Sequence, residues 1–184
     1  DWMNLKEQQY IVTLANYGNM TQAAKKLGLR HVVLTCSTRD DLPDGGAEQF
    51  AKTVRTIREL CPGTTVETLI SDMKMDTDAL DTVLAAHPEV LNHNVETVRE
   101  LQAAVRPQAR YERSLEVLRY CKRKDPTVLT KTGFMVGLGE TEEQIDALMD
   151  DILETGCDIL TIGQYLQPSP QHYPLARYAT PEDF

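Results

Sequence analysis

Short apolar runs rich in Val, Ile, Leu and Thr recur along the chain, and helical patterns fill the intervals. The predicted strands are His31–Cys36, Thr65–Ile70, Val90–Val95, Val128–Val136 and Asp158–Tyr165, each bounded by Gly, Pro or Asp. Over Ala47–Leu60, Phe50, Val54 and Ile57 fall on one helical stripe, and Pro62-Gly63 stops it. Helices are also predicted over Thr77–Ala86, stopped by His87-Pro88, and over Tyr111–Lys124, closed by Asp125-Pro126. Glu142–Thr155 is marked most completely: Thr141 and Gln144 suit a capping box, acidic residues fill the first turn, and Gly156 stands at the C-terminal cap. Strand starts recur about every 30 residues, the length of a strand–helix–strand unit. The pattern therefore predicts an α/β fold, a parallel sheet wound with right-handed crossovers. It leaves open an incomplete (β/α) barrel or an open doubly wound sheet. Ahead of the first strand, two short helices are predicted over Leu5–Tyr17 and Gln22–Leu27.

Charge and composition narrow the chemistry. The chain carries 41% apolar and 26% charged residues, ordinary for a globular protein, with a net charge of -9 and a pI of about 4.9. Nucleic-acid affinity comes mostly from Lys and Arg neutralising phosphates, so this acidity argues against a nucleic-acid partner. No apolar run approaches the roughly 20 residues that span a bilayer. Asp1–Lys6 shows no charged-then-apolar signal pattern, so no membrane association and a cytoplasmic location are expected. The cysteines, Cys36, Cys61, Cys121 and Cys157, are too far apart in sequence for C-x-x-C or iron–sulfur loop spacing and read as buried small hydrophobes. His31, His87 and His172 share no ligand spacing, so no metal-ligating set is assigned.

In parallel α/β folds, ligands bind beyond the carboxyl ends of the strands. The loop after the first strand, Thr35–Gly46, is long and polar and ends in Gly45-Gly46. The third strand runs into Asn92-His93-Asn94-Val95-Glu96, whose two-residue period sets Asn92, Asn94 and Glu96 on one face if the strand continues that far. The fourth ends in Gly137-Leu138-Gly139-Glu140 and the fifth in Gly163-Gln164-Tyr165. Amides, carboxylates and glycines at one end of a sheet suit a polar metabolite bearing an amino acid or a ribose. Gly137 and Gly139 lack the third glycine of a dinucleotide fingerprint. His93 reads first as a structural hydrogen-bonding residue, and Asp40-Asp41 reads equally as a solvated turn.

Leu27–Val33, Arg39–Ala47, Asn92–Val98, Arg106–Leu115, Lys131–Glu142, Ile159–Pro170 and Arg177–Phe184 together resemble the lipoyl synthase family over residues 27–184. That resemblance implies an incomplete (β/α) TIM-like radical S-adenosylmethionine barrel with about five parallel strands, truncated at both ends and preceded by two short helices. The family's reaction inserts sulfur at carbons 6 and 8 of an octanoyl chain on a lipoyl carrier domain or H protein. Its cofactors are S-adenosylmethionine and two [4Fe–4S] clusters, one of which is consumed as the sulfur source. By resemblance, Asp40, Asp41, Gly45, Gly46, Asn94 and Glu96 are the candidates for holding the methionine and ribose parts. Lys131, Gly137, Gly139 and Gln164 are candidates for lining the pocket.

The chain also departs from the family pattern. The C-x-x-x-C-x-x-C run expected before residue 30 is absent, as are the cysteines of the second cluster. The resemblance therefore implies that this chain is inactive by itself, and no catalytic residue is assigned. A non-catalytic barrel remnant binding a ligand or carrier protein is the alternative. Met3–Gly28 resembles the first half of a LysR-type helix-turn-helix. This divides the chain into 1–28 and a partial barrel over 29–184, with DNA binding a minor third reading because no recognition helix follows.

Overall fold

The computed structural model describes residues 28–183. The two helices expected before Gly28 lie outside the described residues. Five strands form one sheet: β1 (His31–Thr35), β2 (Thr65–Leu69), β3 (Val90–Asn92), β4 (Leu129–Val136) and β5 (Ile159–Gln164). They lie in the order β1-β2-β3-β4-β5, and every neighbouring pair is parallel. A doubly wound sheet reverses its strand order at a switch point, whereas a barrel winds on in one direction. The unbroken order thus decides the alternative that periodicity left open, in favour of a partial barrel.

Between the strands run α1 (Ala47–Leu60), α2 (Thr77–Leu84), α3 (Gln102–Val105), α4 (Tyr111–Lys124) and α5 (Glu142–Leu153). The capping box of α5 is present as expected, with Thr141 and Gln144 each bonding the other's backbone N–H. Asp76 caps α2 by accepting from Asp78 N and Ala79 N. Helix faces cover one side of the sheet. Phe50, Val54 and Ile57 of α1 and Leu80 and Val83 of α2 join Leu34, Val66 and Leu91 in one apolar cluster. Leu115 and Leu118 of α4 and Leu148 and Ile152 of α5 join Phe134 and Val136 in a second. By register, the opposite, concave face carries Val33, Glu67, Leu69, Val90, Asn92, Lys131, Gly133 and Met135. No helix among the described residues is long and apolar enough to cross a membrane.

Most element boundaries agree with the pattern to within two residues, but β3 differs. Expected to run to Val95, it ends at Asn92, and the chain rejoins β4 only through an isolated bridge of Glu96 with Phe134. Glu96 sits at φ 76°, in the left-handed region. There its N–H donates to Gly133 O and its carbonyl accepts from Met135 N, each at 2.9 Å. The turn Met73–Met75 after β2 and the short helix α3 carry no hydrophobic period and were not expected.

Candidate functional site

At the carboxyl ends of β1, β2 and β3 two cavities adjoin. One of about 190 Å³ is lined by Thr35, Cys36, Ser71, His93, Asn94, Glu96 and Arg106, among others. The other, of about 440 Å³, is lined by Thr38, Asp40, Asp72, Lys74, Arg106 and Arg113, among others. Thr38, Ser71 and Arg106 belong to both walls. A carboxylate, an amide, guanidinium groups and hydroxyls thus converge where a parallel barrel binds its ligands.

The break in β3 is what aims the polar groups. The Thr132 hydroxyl donates to His93 O at 2.8 Å and accepts from Val95 N at 3.3 Å, so a β4 side chain replaces the missing ladder bonds. Behind the cavity wall, His93 is buried and both ring nitrogens are engaged, Nδ1 with Ile70 O and Nε2 with the Ser114 hydroxyl, each at 3.0 Å. A carbonyl only accepts, so Nδ1 carries the proton and Ser114 donates to Nε2. Burial holds the ring well below the usual imidazole range, and the nearby Arg106 charge acts the same way. His93 is therefore a neutral strut, as its sequence context implied.

Beside Asn94, Gly133 is required by space. A Cβ there would lie 2.5 Å from Thr161 Oγ1 and 3.2 Å from Asn94 Oδ1. Arg106 donates to Asn94 O at 3.4 Å and reaches both cavities from the end of α3. Sequence reasoning passed over Arg106 as a site residue, although the run Arg106–Leu115 was among the matching segments. Arg113, Asp72 and Lys74 were also missed. Asp72 pairs with Arg113 at 3.0 Å and accepts from Lys74 N at 2.9 Å, which joins the turn after β2 to α4.

The sequence candidates separate into four places. Asp40, Asn94 and Glu96 line the two cavities, and Asp40 pairs with Lys74 Nζ at 3.4 Å. Asp41 instead faces Arg39, which holds its carboxyl below the usual range. Gly45 and Gly46, at φ 61° and 91°, shape the entry to α1, where Asp44 accepts from Gly46 N and Glu48 N. Gly46 borders a separate apolar pocket of about 170 Å³ with Leu34, Cys36 and Phe50.

Lys131 lies on the concave face, bonded to Glu67. Gly137, Gly139 and Gln164 hold the C-terminal segment. Gly137 O accepts from Ala176 N, Gln164 Nε2 donates to Arg177 O, Gln164 Oε1 accepts from Ala179 N, and Gly139 abuts Ala176. A side chain at Gly137 would meet Arg177 O and Gln164 Nε2 at 2.5 Å.

Cys36 is exposed at the cavity wall, Cys61 and Cys121 are buried, and Cys157 is half-buried. Burial pushes the Cys121 thiol up to about 12. Among the described residues, no group of three or more His, Cys, Asp and Glu is placed to hold a metal ion. These residues do not fit an iron–sulfur cluster. The cavity walls instead set carboxylates, an amide and two guanidinium groups close together.

Comparison with known proteins bears on the family and the fold. The Radical SAM superfamily profile matches residues 3–152. The chain is 60% identical over 165 residues to a lipoyl synthase of Rubrobacter xylanophilus, covering 90% of this chain and 51% of that protein. It is 54% identical to a lipoyl synthase of Caldanaerobacter subterraneus, again over 90% of this chain and 58% of the relative. The chain thus spans about half the length of the curated relatives it matches. Among solved structures, methylornithine synthase superposes with a TM-score of 0.67 at 17% identity, covering 96% of this chain and 49% of that one. Coproporphyrinogen III oxidase from Escherichia coli gives 0.60 at 19% identity, covering 96% and 41%. At such identities these two likenesses concern the fold.

Proposed function

The chain belongs to the radical SAM superfamily, and we propose that it is the cofactor- and acyl-binding part of a lipoyl synthase-like barrel. The observation that carries this reading is the convergence of Asn94, Glu96 and Arg106 on one carboxyl-end cavity. In this reading the Glu96 carboxylate accepts from the ribose hydroxyls of S-adenosylmethionine. Arg106 pairs with the methionine carboxylate, a charge-assisted contact. Asn94, held open by Gly133, serves the polar backbone of the same ligand. His93, neutral and bonded at both nitrogens, keeps that wall rigid.

Bound and supplied with an electron, such a cofactor would provide hydrogen abstraction from an unactivated methylene. The described residues hold no cluster site, so no such step is assigned to this chain. By itself the chain binds ligand without turnover. Its partner is an octanoylated lipoyl carrier domain or H protein, and its setting is the cytoplasm. Residues 29–184 form the functional unit.

Titration calorimetry of this chain with S-adenosylmethionine tests the reading. Saturable binding is expected, weakened about tenfold or more by Arg106→Met, a loss of about 1.4 kcal/mol or greater. Glu96→Gln weakens it in the same direction. No deoxyadenosine forms. Absence of saturable binding, or indifference to both substitutions, would overturn it.

A further inference from the structure

The outer surface of α1 carries two neighbouring stripes of opposite character. Glu48, Lys52, Arg55 and Glu59 recur at helical spacing, are exposed, and all carry charge. The stripe beside them, Gln49, Thr53, Thr56 and Leu60, carries none. Its two hydroxyls are spent on their own helix. Thr53 Oγ1 donates to Gln49 O at 2.7 Å and Thr56 Oγ1 to Lys52 O at 2.8 Å, so neither needs an outside partner. At the foot of the stripe Leu60 is exposed. At its head Gln49, Phe50 and Thr53 open onto the apolar pocket of about 170 Å³, beside Leu34 and Leu42. Val54 and Ile57 of the same helix join Leu80 and Val83 of α2 in the core. Gln49 and Thr53 instead share their pocket with Thr35 and Cys36 at the end of β1. The uncharged stripe therefore lies on the flank away from α2, toward the border of β1.

We infer that this stripe is the dock of the chain's own N-terminal segment, residues 5–27, with an apolar side chain of that segment seated in the pocket. The segment lies outside the described residues; the place where it joins them is fixed. It joins at Gly28, at φ 61°, the conformation glycine takes just past the end of a helix. Leu29 O then accepts from Thr64 Oγ1 at 2.7 Å and Arg30 O from Thr65 N at 3.0 Å. Thr64 follows α1 after one short turn, so the segment enters beside Leu60, at the foot of the stripe. The lengths agree. By the rise of an α-helix, the stripe from Leu60 to Gln49 is about 16 Å long and the helix predicted over Leu5–Tyr17 about 18 Å. The charge agrees as well. Gln8–Ala24 contains no Asp, Glu, Lys or Arg, and Tyr10, Leu14 and Tyr17 recur at helical spacing. An uncharged face gains by burial against another uncharged face, whereas on the neighbouring stripe it would strip water from four charges. Leu42 and Gly46 of the pocket wall belong to the loop that carries Asp40 to the larger cavity, so an occupant of the pocket bears on that loop.

Hydrogen–deuterium exchange on the full chain tests the inference. A helix this short is marginal by itself, so slow exchange requires docking. Amides of residues 10–17 are expected to exchange about tenfold or more slowly than in a free peptide of that sequence. Thr53→Glu combined with Thr56→Glu puts two carboxylates on the stripe and should abolish that protection. Amides of α5 should keep theirs and report an intact fold. Lys52→Glu, on the charged stripe, should leave both unchanged. Leu60→Lys is the milder variant and replaces the double variant in the comparison if α5 loses protection there. Rapid exchange of residues 10–17 in the unaltered chain would overturn the inference. So would protection that survives in a folded stripe variant, since the segment would then lie elsewhere. A loss equally produced by Lys52→Glu would overturn it too, because any change of charge on α1 would then suffice. Protection that fades on dilution would place a second copy of the chain on the stripe in the segment's stead.

Discussion

His93 links the sheet to α4 through two bonds that only its neutral ring can make. Nδ1 donates to Ile70 O, and Nε2 accepts from Ser114. Burial is the largest cause of its lowered pKa. The Ile70 bond and the Asp72 charge oppose the shift, and Arg106 reinforces it. The sign of the linkage follows. With the folded pKa below the unfolded value of about 6.5, the unfolded chain binds more protons between the two values. Stability is fully present above pH 6.5 or so and declines as pH falls, by up to about 1.4 kcal/mol per pH unit, until the folded ring itself titrates. Urea midpoints measured from about pH 8 to pH 5 should therefore fall more steeply for this protein than for His93→Gln. Parallel curves would show that the ring is not held neutral. Asp44, whose carboxyl is held below the usual carboxylate range by the bonds from Glu48 N and Gly46 N, leaves the upper part of that window to histidine.

At the level of elements, α1 and α4 were legible because a 3.6-residue apolar stripe is local information, and so was the α5 capping box. The end of β3 was not. Alternation of Asn92, Asn94 and Glu96 reads as a continuing strand. What breaks it is non-local: Thr132 bonding across from β4, and Gly133 leaving room that no other residue would leave. For the same reason Arg106 escaped notice, since nothing in its sequence neighbourhood says that it bends back over Asn94. Asp40 and Asp41 are adjacent and alike in sequence, yet one reaches the cavity and the other only Arg39. Gly133→Ala tests the role of that space. The new methyl meets Thr161 Oγ1, whose bond to Thr132 O at 3.2 Å would have to give way, and crowds Asn94. An overpacking loss of about 1–3 kcal/mol is expected in denaturant unfolding, together with weaker S-adenosylmethionine binding. A fully stable Gly133→Ala protein with unchanged affinity would show that neither contact matters.

The described residues form a barrel segment whose two outer strands are β1 and β5. Among the described residues, β1 and β5 each pair on one side only, and an unpaired edge is a template for another chain. The outer side of β5 is also thinly covered, with Leu160 37% and Ile162 39% exposed, and Leu153 at the end of α5 is 70% exposed. Against association stands a net charge of -9, which makes two copies repel at low ionic strength. That repulsion is screened over about 8 Å at 0.15 M salt and about 3 Å at 1 M, whereas apolar burial is not weakened by salt. The balance therefore tips with ionic strength. Sedimentation equilibrium should show this chain increasingly associated as salt rises from about 0.01 M to 1 M, the range over which the screening length falls roughly tenfold. Ile162→Lys places a charge on the exposed strand face and should suppress that association with little effect on unfolding, since the side chain is already part-exposed. A protein monomeric at every salt concentration would mean that its borders are shielded. An Ile162→Lys protein that associates as before would move the contact to the β1 edge, where Val33 is 46% exposed on the concave side.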